Sequence, residues 1–206
     1  MFRMRRWIGL LLIMAGAGFF VWNWGFTKPV ANTDTINERQ QTMPSATPSE
    51  QKALTLSVSG FGNGESIPSK FTCDGDDISP QIEWSGVPED TESLVLIMED
   101  RDIPKNLRSD GLFVHWILYS IPASEKGIAE GGSVGSPGLN TLNKAEYMGP
   151  CPPPQYEPAE HRYYFTLYAL DIAPLFDVAP NKETVVNMMQ GHILGQTEYM
   201  GRYKRK

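Results

Sequence analysis

The sequence has few cysteines and histidines, and fewer basic than acidic residues. Its 206 residues include only two cysteines and three histidines, and 18 Lys and Arg face 24 Asp and Glu. No repeat of roughly 20–50 residues is visible, which argues against a propeller or a solenoid. An acidic chain lacks the clustered positive charge that neutralises a nucleic acid backbone, so we expect no nucleic acid partner.

The charge is divided unevenly along the chain. Residues 1–52 carry a net charge of +3 and residues 53–206 a net charge of −9. Residues 7–26 are uncharged and mostly apolar, and follow Arg3, Arg5 and Arg6. A helix of this length spans about 30 Å, the thickness of a bilayer core.

We therefore predict a single membrane-spanning segment in residues 1–26. The positive-inside rule places the N-terminus in the cytoplasm and the rest of the chain outside it, in the periplasm or the extracellular space. A cleaved signal peptide is the open alternative. Residues 27–52 are rich in Thr, Asn, Gln, Ser and Pro, which predicts a flexible linker. The folded domain is then expected over residues 53–206.

Short apolar runs rich in β-branched and aromatic residues predict strands in this domain. They cover residues 93–98, 112–119 and 163–170, with weaker signals at 54–58 and 198–203. One helix is predicted over residues 182–190, with Asn181 as a possible N-cap and Gly191 after its end. Many strands with a late helix indicate a mainly β protein, an antiparallel β-sandwich.

Four short segments carry the side chains best suited to ligand binding or catalysis. They are residues 99–104, 114–116, 147–153 and 161–163. They hold an acid, two of the three histidines, a tyrosine and a proline turn, and each is attached to a predicted strand. Convergence of these segments favours a small polar pocket for an anion, since imidazole and phenol groups donate hydrogen bonds.

Side-chain alternation along strands predicts which of these residues share a face. His161 is expected on the same face as Tyr163, so the two can line one pocket. By the same rule His115 is expected on the face that carries Phe113 and Ile117.

The four segments, in this order and spacing, resemble the phosphatidylethanolamine-binding protein family, also called the Raf kinase inhibitor protein family, in its bacterial and archaeal branch. Residues 67–75, 78–80, Trp84, 168–171 and 191–194 extend the resemblance, which covers the chain from about residue 54 onward. It implies a large antiparallel sheet packed on a smaller one, with a helix near the C-terminus.

Carried over residue by residue, the resemblance implies an anion pocket lined by Asp100, His115, Pro152, Pro153, His161 and Tyr163. It implies a small anion or a phospholipid headgroup as ligand, no cofactor and no catalysis. We expect Asp100 to accept a hydrogen bond from one imidazole and to stabilise its charged form. Arg101 stands where the family usually has proline, and we expect its charge near the pocket mouth.

The two cysteines, Cys73 and Cys151, lie in turn-like segments of the family pattern. An even count in an oxidising compartment favours a disulfide, which would restrain the proline turn. Two unbonded buried thiols are the open alternative.

Three other functions fit parts of the sequence. Residues 131–135 match G-x-S-x-G, but glycines and Pro137 surround Ser133 where a hydrolase needs a strand and a helix. Two histidines with one aspartate also occur in non-haem iron sites, which the resemblance disfavours. The main alternative is an inhibitor or regulator of a protein partner, such as an extracytoplasmic protease or a kinase.

Overall fold

The computed structural model describes residues 52–205. In this range two antiparallel sheets and one α-helix form. The smaller sheet has the order β1-β2-β5 and the larger sheet the order β6-β4-β3-β7-β8. The elements are β1 (Thr55–Val58), β2 (Ile82–Ser85), β3 (Ser93–Asp100), β4 (Phe113–Pro122), β5 (Gly127–Ile128), β6 (Ser136–Pro137), β7 (His161–Leu170), α1 (Lys182–Met189) and β8 (Ile193–Tyr203).

The strands predicted from apolar runs are confirmed, as is the helix. The observed β3, β4, β7 and β8 are longer than predicted, because pairing with neighbouring strands continues beyond the predicted runs. The helix begins where the sequence predicts, with the side chain of Asn181 accepting a hydrogen bond from the backbone N–H of Thr184 at 2.9 Å. The strands β2, β5 and β6 were not predicted, because they are only four, two and two residues long.

The large sheet is covered on both faces. Leu96 and Met98 of β3 pack toward the small sheet, in a cluster that includes Trp84. Ile97 packs in a second cluster with Val185 of α1. All eight residues of β3 are buried, because a central strand with both faces covered has no solvent side. The central position of β3 therefore explains why its sequence is an almost continuous apolar run.

A β-bulge in β4 places His115. The register pairs Met98 with Trp116 and Glu99 with Val114, so one step along β3 corresponds to two along β4 and His115 is the extra residue. A bulge interrupts side-chain alternation and re-aims the residues beside it. Ile117 consequently packs in the cluster under α1. The expectation that His115 shares a face with Ile117 is wrong for this reason.

The predicted membrane segment, residues 1–26, and nearly all of the predicted linker lie outside the described residues. Within residues 52–205, no helix has the length and apolar character needed to cross a bilayer. The boundary between linker and domain stays a prediction.

The predicted disulfide between Cys73 and Cys151 is present, with an S–S distance of 2.06 Å. It joins the proline turn to the loop that follows Phe71. Backbone contacts reinforce the junction: Cys73 N–H donates to the Pro150 carbonyl at 3.2 Å, and Gly149 N–H donates to Asp77 Oδ1 at 2.7 Å. The chains approach so closely that a Cβ on Gly149 would lie 2.4 Å from the Phe71 carbonyl oxygen.

We predict that replacing both cysteines, Cys73→Ser with Cys151→Ser, lowers the free energy of unfolding by roughly 2–5 kcal/mol. The physical reason is that the bond closes a loop with a sequence separation of 78 and restricts the unfolded chain. Urea denaturation measures the change. Reductant should shift the parent protein to the midpoint of the double variant and leave the double variant itself unaffected. An unchanged midpoint in both comparisons would contradict the prediction.

Candidate anion-binding site

The candidate site forms where three neighbouring strands of the large sheet come together. Asp100 ends β3 and lies in register between Phe113 at the start of β4 and Tyr163 of β7. His161 is the first residue of β7. The bulge in β4 turns His115 toward this group, and its ring centroid lies 5.2 Å from that of Tyr163.

These side chains line a cavity of about 270 Å³. All six residues that the family resemblance implies are among its lining residues, and so is Cys151. The remaining lining residues were not predicted as site residues, although Phe113 was expected on the same face as His115. They are Ile103, Pro104, Leu107, Arg108, Phe113, Met148, Gly149 and Tyr156. Several lie inside the quoted segments, but Leu107, Arg108 and Tyr156 belong to loops without a recognisable motif.

The floor of the cavity contains a hydrogen-bonded acid and imidazole. Nδ1 of His161 lies 2.6 Å from Oδ2 of Asp100, and the two residues are 0% and 2% exposed. The other carboxylate oxygen accepts the backbone N–H of Asp102 at 2.8 Å. Burial alone would lower the pKa of His161, but the hydrogen bond and charge of Asp100 outweigh it and raise that pKa above its ordinary value. Asp100 therefore favours the imidazolium form of His161.

A second ion pair holds the turn that follows β3. Arg162 donates to Asp102 through Nη2 at 2.6 Å, through Nε at 2.9 Å and through its backbone N–H at 2.8 Å. These hydrogen bonds and the charge of the guanidinium lower the pKa of Asp102. The turn that presents Asp100 is thereby fixed to the start of β7.

His115 has a different environment. Its Nδ1 lies 2.7 Å from the carbonyl oxygen of Met148, and a carbonyl can only accept, so Nδ1 carries the ring proton. Burial lowers the pKa of His115 despite this hydrogen bond and the nearby carboxylates of Asp100 and Asp77. The neutral ring is favoured. The surroundings of the two histidines therefore shift their pKa values in opposite directions.

Two buried polar atoms at the floor have no hydrogen-bond partner among the described residues. They are Nε2 of His161 and the hydroxyl of Tyr163. Burial, strengthened by the nearby charge of Asp100, raises the pKa of Tyr163, so the hydroxyl keeps its proton. Although Asp100 is near, no hydrogen bond of acceptable geometry joins it to this hydroxyl. The floor therefore presents two donors from which a ligand oxygen can accept hydrogen bonds.

Arg101 does not line the cavity, contrary to the expectation from the sequence. It donates to Glu99 Oε1 and Glu198 Oε2, each at 2.7 Å, and its guanidinium lies 4.0 Å from the ring centroid of Tyr164. Glu99 also contacts Lys182. The Arg101 charge is therefore used in an ion-pair network away from the cavity.

The alternative sites considered from the sequence have no support in the geometry. Among residues 52–205, no group of three or more His, Cys, Asp or Glu side chains has the arrangement of a metal site. Ser133 lines a cavity different from the one that holds His161, so the two do not form a nucleophile and base.

We predict that Asp100→Asn lowers the free energy of unfolding by roughly 1.5–3 kcal/mol at pH 5.5 and by less at pH 8.5. Because the folded protein raises the pKa of His161, the stabilisation is complete below the unfolded pKa of about 6.5 and is lost as the pH rises through the folded value. Urea denaturation at both pH values measures it.

The matched control is Asp171→Asn. Asp171 pairs with His192 at 2.8 Å, but both side chains are 43% exposed, so solvent screens the interaction and the change should be small at either pH. An equal loss at both pH values in Asp100→Asn would contradict a charged His161.

Comparison with known proteins agrees with this architecture. The family model described as phosphatidylethanolamine-binding protein matches residues 57–204. A UPF0098 protein of Chlamydia trachomatis is 41% identical over 153 residues, covering 74% of this chain and 99% of the relative. A UPF0098 protein of Methanothermobacter thermautotrophicus is 37% identical over 161 residues, with the same coverage.

Solved structures show the same fold. The crystal structure of a phosphatidylethanolamine-binding protein homologue from Chlamydia trachomatis superposes with a TM-score of 0.70 at 41% identity, covering 75% of this chain and 99% of that one. Escherichia coli YbcL superposes with a TM-score of 0.66 at 24% identity, covering 75% and 100%, which supports the fold alone. With the family model matching most of the chain, this protein belongs to the phosphatidylethanolamine-binding protein family.

Proposed function

We propose that this protein binds a small anion or a phosphate-bearing headgroup in the cavity and catalyses no reaction. The observation that carries the proposal is a pair of buried donors, the Tyr163 hydroxyl and Nε2 of His161, which have no hydrogen-bond partner within residues 52–205. Leaving such groups unpaired costs roughly 1–3 kcal/mol each. An oxygen ligand that accepts from both removes this cost, and the imidazolium favoured by Asp100 strengthens one of the hydrogen bonds.

A binding role fits the rigidity of the cavity wall. The disulfide, the hydrogen bond to Asp77 and the fixed φ of Pro152 and Pro153 hold one wall in place before a ligand arrives. Preorganisation of this kind lowers the entropic cost of binding.

The absence of catalysis is part of the proposal and rests on the use of the side chains. Both oxygens of Asp100 accept hydrogen bonds from the protein, so this carboxylate supports His161 and is poorly placed to remove a proton from a ligand. The hydroxyl of Tyr163 is held in its protonated form, which suits a donor better than a nucleophile.

We also propose that residues 1–26 form a single-pass membrane anchor, with the domain on the extracytoplasmic side of the membrane. A phospholipid headgroup is then an accessible ligand, and so is a soluble phosphate compound. A protein partner such as a protease or a kinase is the alternative that a failed ligand test would favour.

The test is an NMR titration of the full chain with inorganic phosphate and with glycerophosphoethanolamine, following the histidine ring signals. We expect saturable shifts of His115 and His161, larger at pH 6 than at pH 8, and no shift of the exposed His192. Tighter binding of one compound identifies the source of the phosphate group.

Tyr163→Phe removes one donor and should weaken binding by about fivefold to a hundredfold, corresponding to roughly 1–3 kcal/mol. Its matched control is Tyr164→Phe, because Tyr164 lies on the other face of β7 against Arg101 and its loss should leave the affinity unchanged. If His115 and His161 do not respond to either compound, the anion-binding function is wrong.

A further inference from the structure

The hydrogen-bonding atoms at the cavity floor are of two kinds. Tyr163 and His161 offer O–H and Nε2–H donors that no other group in the described part of the chain pairs with. His115 offers the opposite function. Because its Nδ1 proton is committed to the Met148 carbonyl at 2.7 Å, Nε2 of the neutral ring is a lone-pair acceptor. A fully deprotonated anion has no hydrogen to donate to this atom.

The charges at the floor cancel. The carboxylate of Asp100 lies 2.6 Å from His161 and favours its imidazolium form, whereas burial favours the neutral form of His115. Arg108, which also lines the cavity, has an exposed side chain that pairs with Asp110 at 2.9 Å, so solvent screens its charge. Within the described residues, no buried unpaired cation of the lining offsets the burial of an anion, and the cost rises steeply for a dianion.

The groups that face His115 come from every element around it. Asp100 approaches from β3, His161 and Tyr163 from β7, and Asp77 from the loop that is joined to the proline turn. The two carboxylates favour a proton on His115 and burial opposes it. An anion bound next to Nε2 would be a third negative group near His115, in addition to the two carboxylates. It would further favour protonation at this position.

The walls above the floor are mostly apolar. Hydrocarbon or aromatic surface comes from residues such as Ile103, Leu107, Phe113, Met148 and Tyr156. A bare inorganic ion would fill only the floor. A ligand that also carries an apolar substituent would bury this substituent against the walls, which favours binding.

We propose that the cavity binds an acid with an apolar substituent together with one proton, which lies between a ligand oxygen and Nε2 of His115. The proton comes from solvent, and no covalent bond forms or breaks in the ligand. Two other ligand lone pairs accept from Tyr163 and His161. The ligand class is a phosphate monoester or carboxylic acid with a hydrocarbon or aromatic body. This inference rests on the proposed anion-binding function.

The test is isothermal titration calorimetry of the full chain with phenyl phosphate at pH 7.5, in two buffers of different ionisation enthalpy. A phosphate monoester has a second pKa of about 6, so it is mainly a dianion at this pH. We expect uptake of about one proton per bound ligand and an affinity that falls about tenfold per pH unit above pH 7.5. Inorganic phosphate should bind at least tenfold more weakly.

His115→Asn assigns the proton. Its Nδ2–H can replace the donor to the Met148 carbonyl, but the side chain has no atom in place of Nε2. Proton uptake should disappear and the pH dependence should flatten. The matched control is His192→Asn, at the chain's exposed histidine, which should behave as the parent protein does. The two-buffer measurement on the parent protein stands by itself if His115→Asn does not fold.

Binding without proton uptake would overturn the inference and leave the anion-binding function standing. Proton uptake that persists in His115→Asn would also overturn it, because the proton would then belong to His161. Tighter binding of inorganic phosphate than of phenyl phosphate would contradict the role of the apolar walls. Failure of both compounds to bind would overturn the proposed function itself.

Discussion

The candidate site depends on the hydrogen bond between Asp100 and His161. Asp100 is buried at the end of the central strand, where an unpaired carboxylate would be costly. Pairing with His161 supplies a countercharge, and the same contact keeps a positive imidazole at the floor of an otherwise apolar cavity. The ion pair between Asp102 and Arg162 fixes the turn after β3 to the start of β7. The hydrogen bond that offsets the cost of burying Asp100 therefore also gives the cavity one of its two donors, Nε2–H of His161.

The bulge in β4 brings a second histidine, His115, to the cavity. Its hydrogen-bonding function differs from that of His161. Regular alternation would not bring His115 to the cavity while its neighbour Trp116 packs into the core on the same side. The bulge allows both. Because Nδ1–H of His115 donates to the Met148 carbonyl, Nε2 of the neutral ring is an acceptor beside two donors. A floor with both functions can discriminate between protonation states of a ligand as well as between shapes.

Much of this could be predicted from the sequence, for identifiable reasons. Long apolar runs mark β3, β4 and β7, and regular alternation along β7 correctly places His161 and Tyr163 together. The family resemblance selects six residues that line one cavity. The bulge could not be predicted, because it depends on the register in which β4 pairs with β3. The ion pairs of Arg101 were missed for a different reason: one of its partners, Glu198, lies on β8, far along the chain.

The proposed site requires that, in one cavity, His161 is charged and His115 is neutral with its proton on Nδ1. Nitrogen-15 shifts of the imidazole rings report protonation and tautomer directly, so we would measure them in the full chain at pH 6.5 without ligand. We expect imidazolium shifts for His161 and the neutral Nδ1–H tautomer for His115. A neutral His161, or a His115 protonated on Nε2, would contradict it.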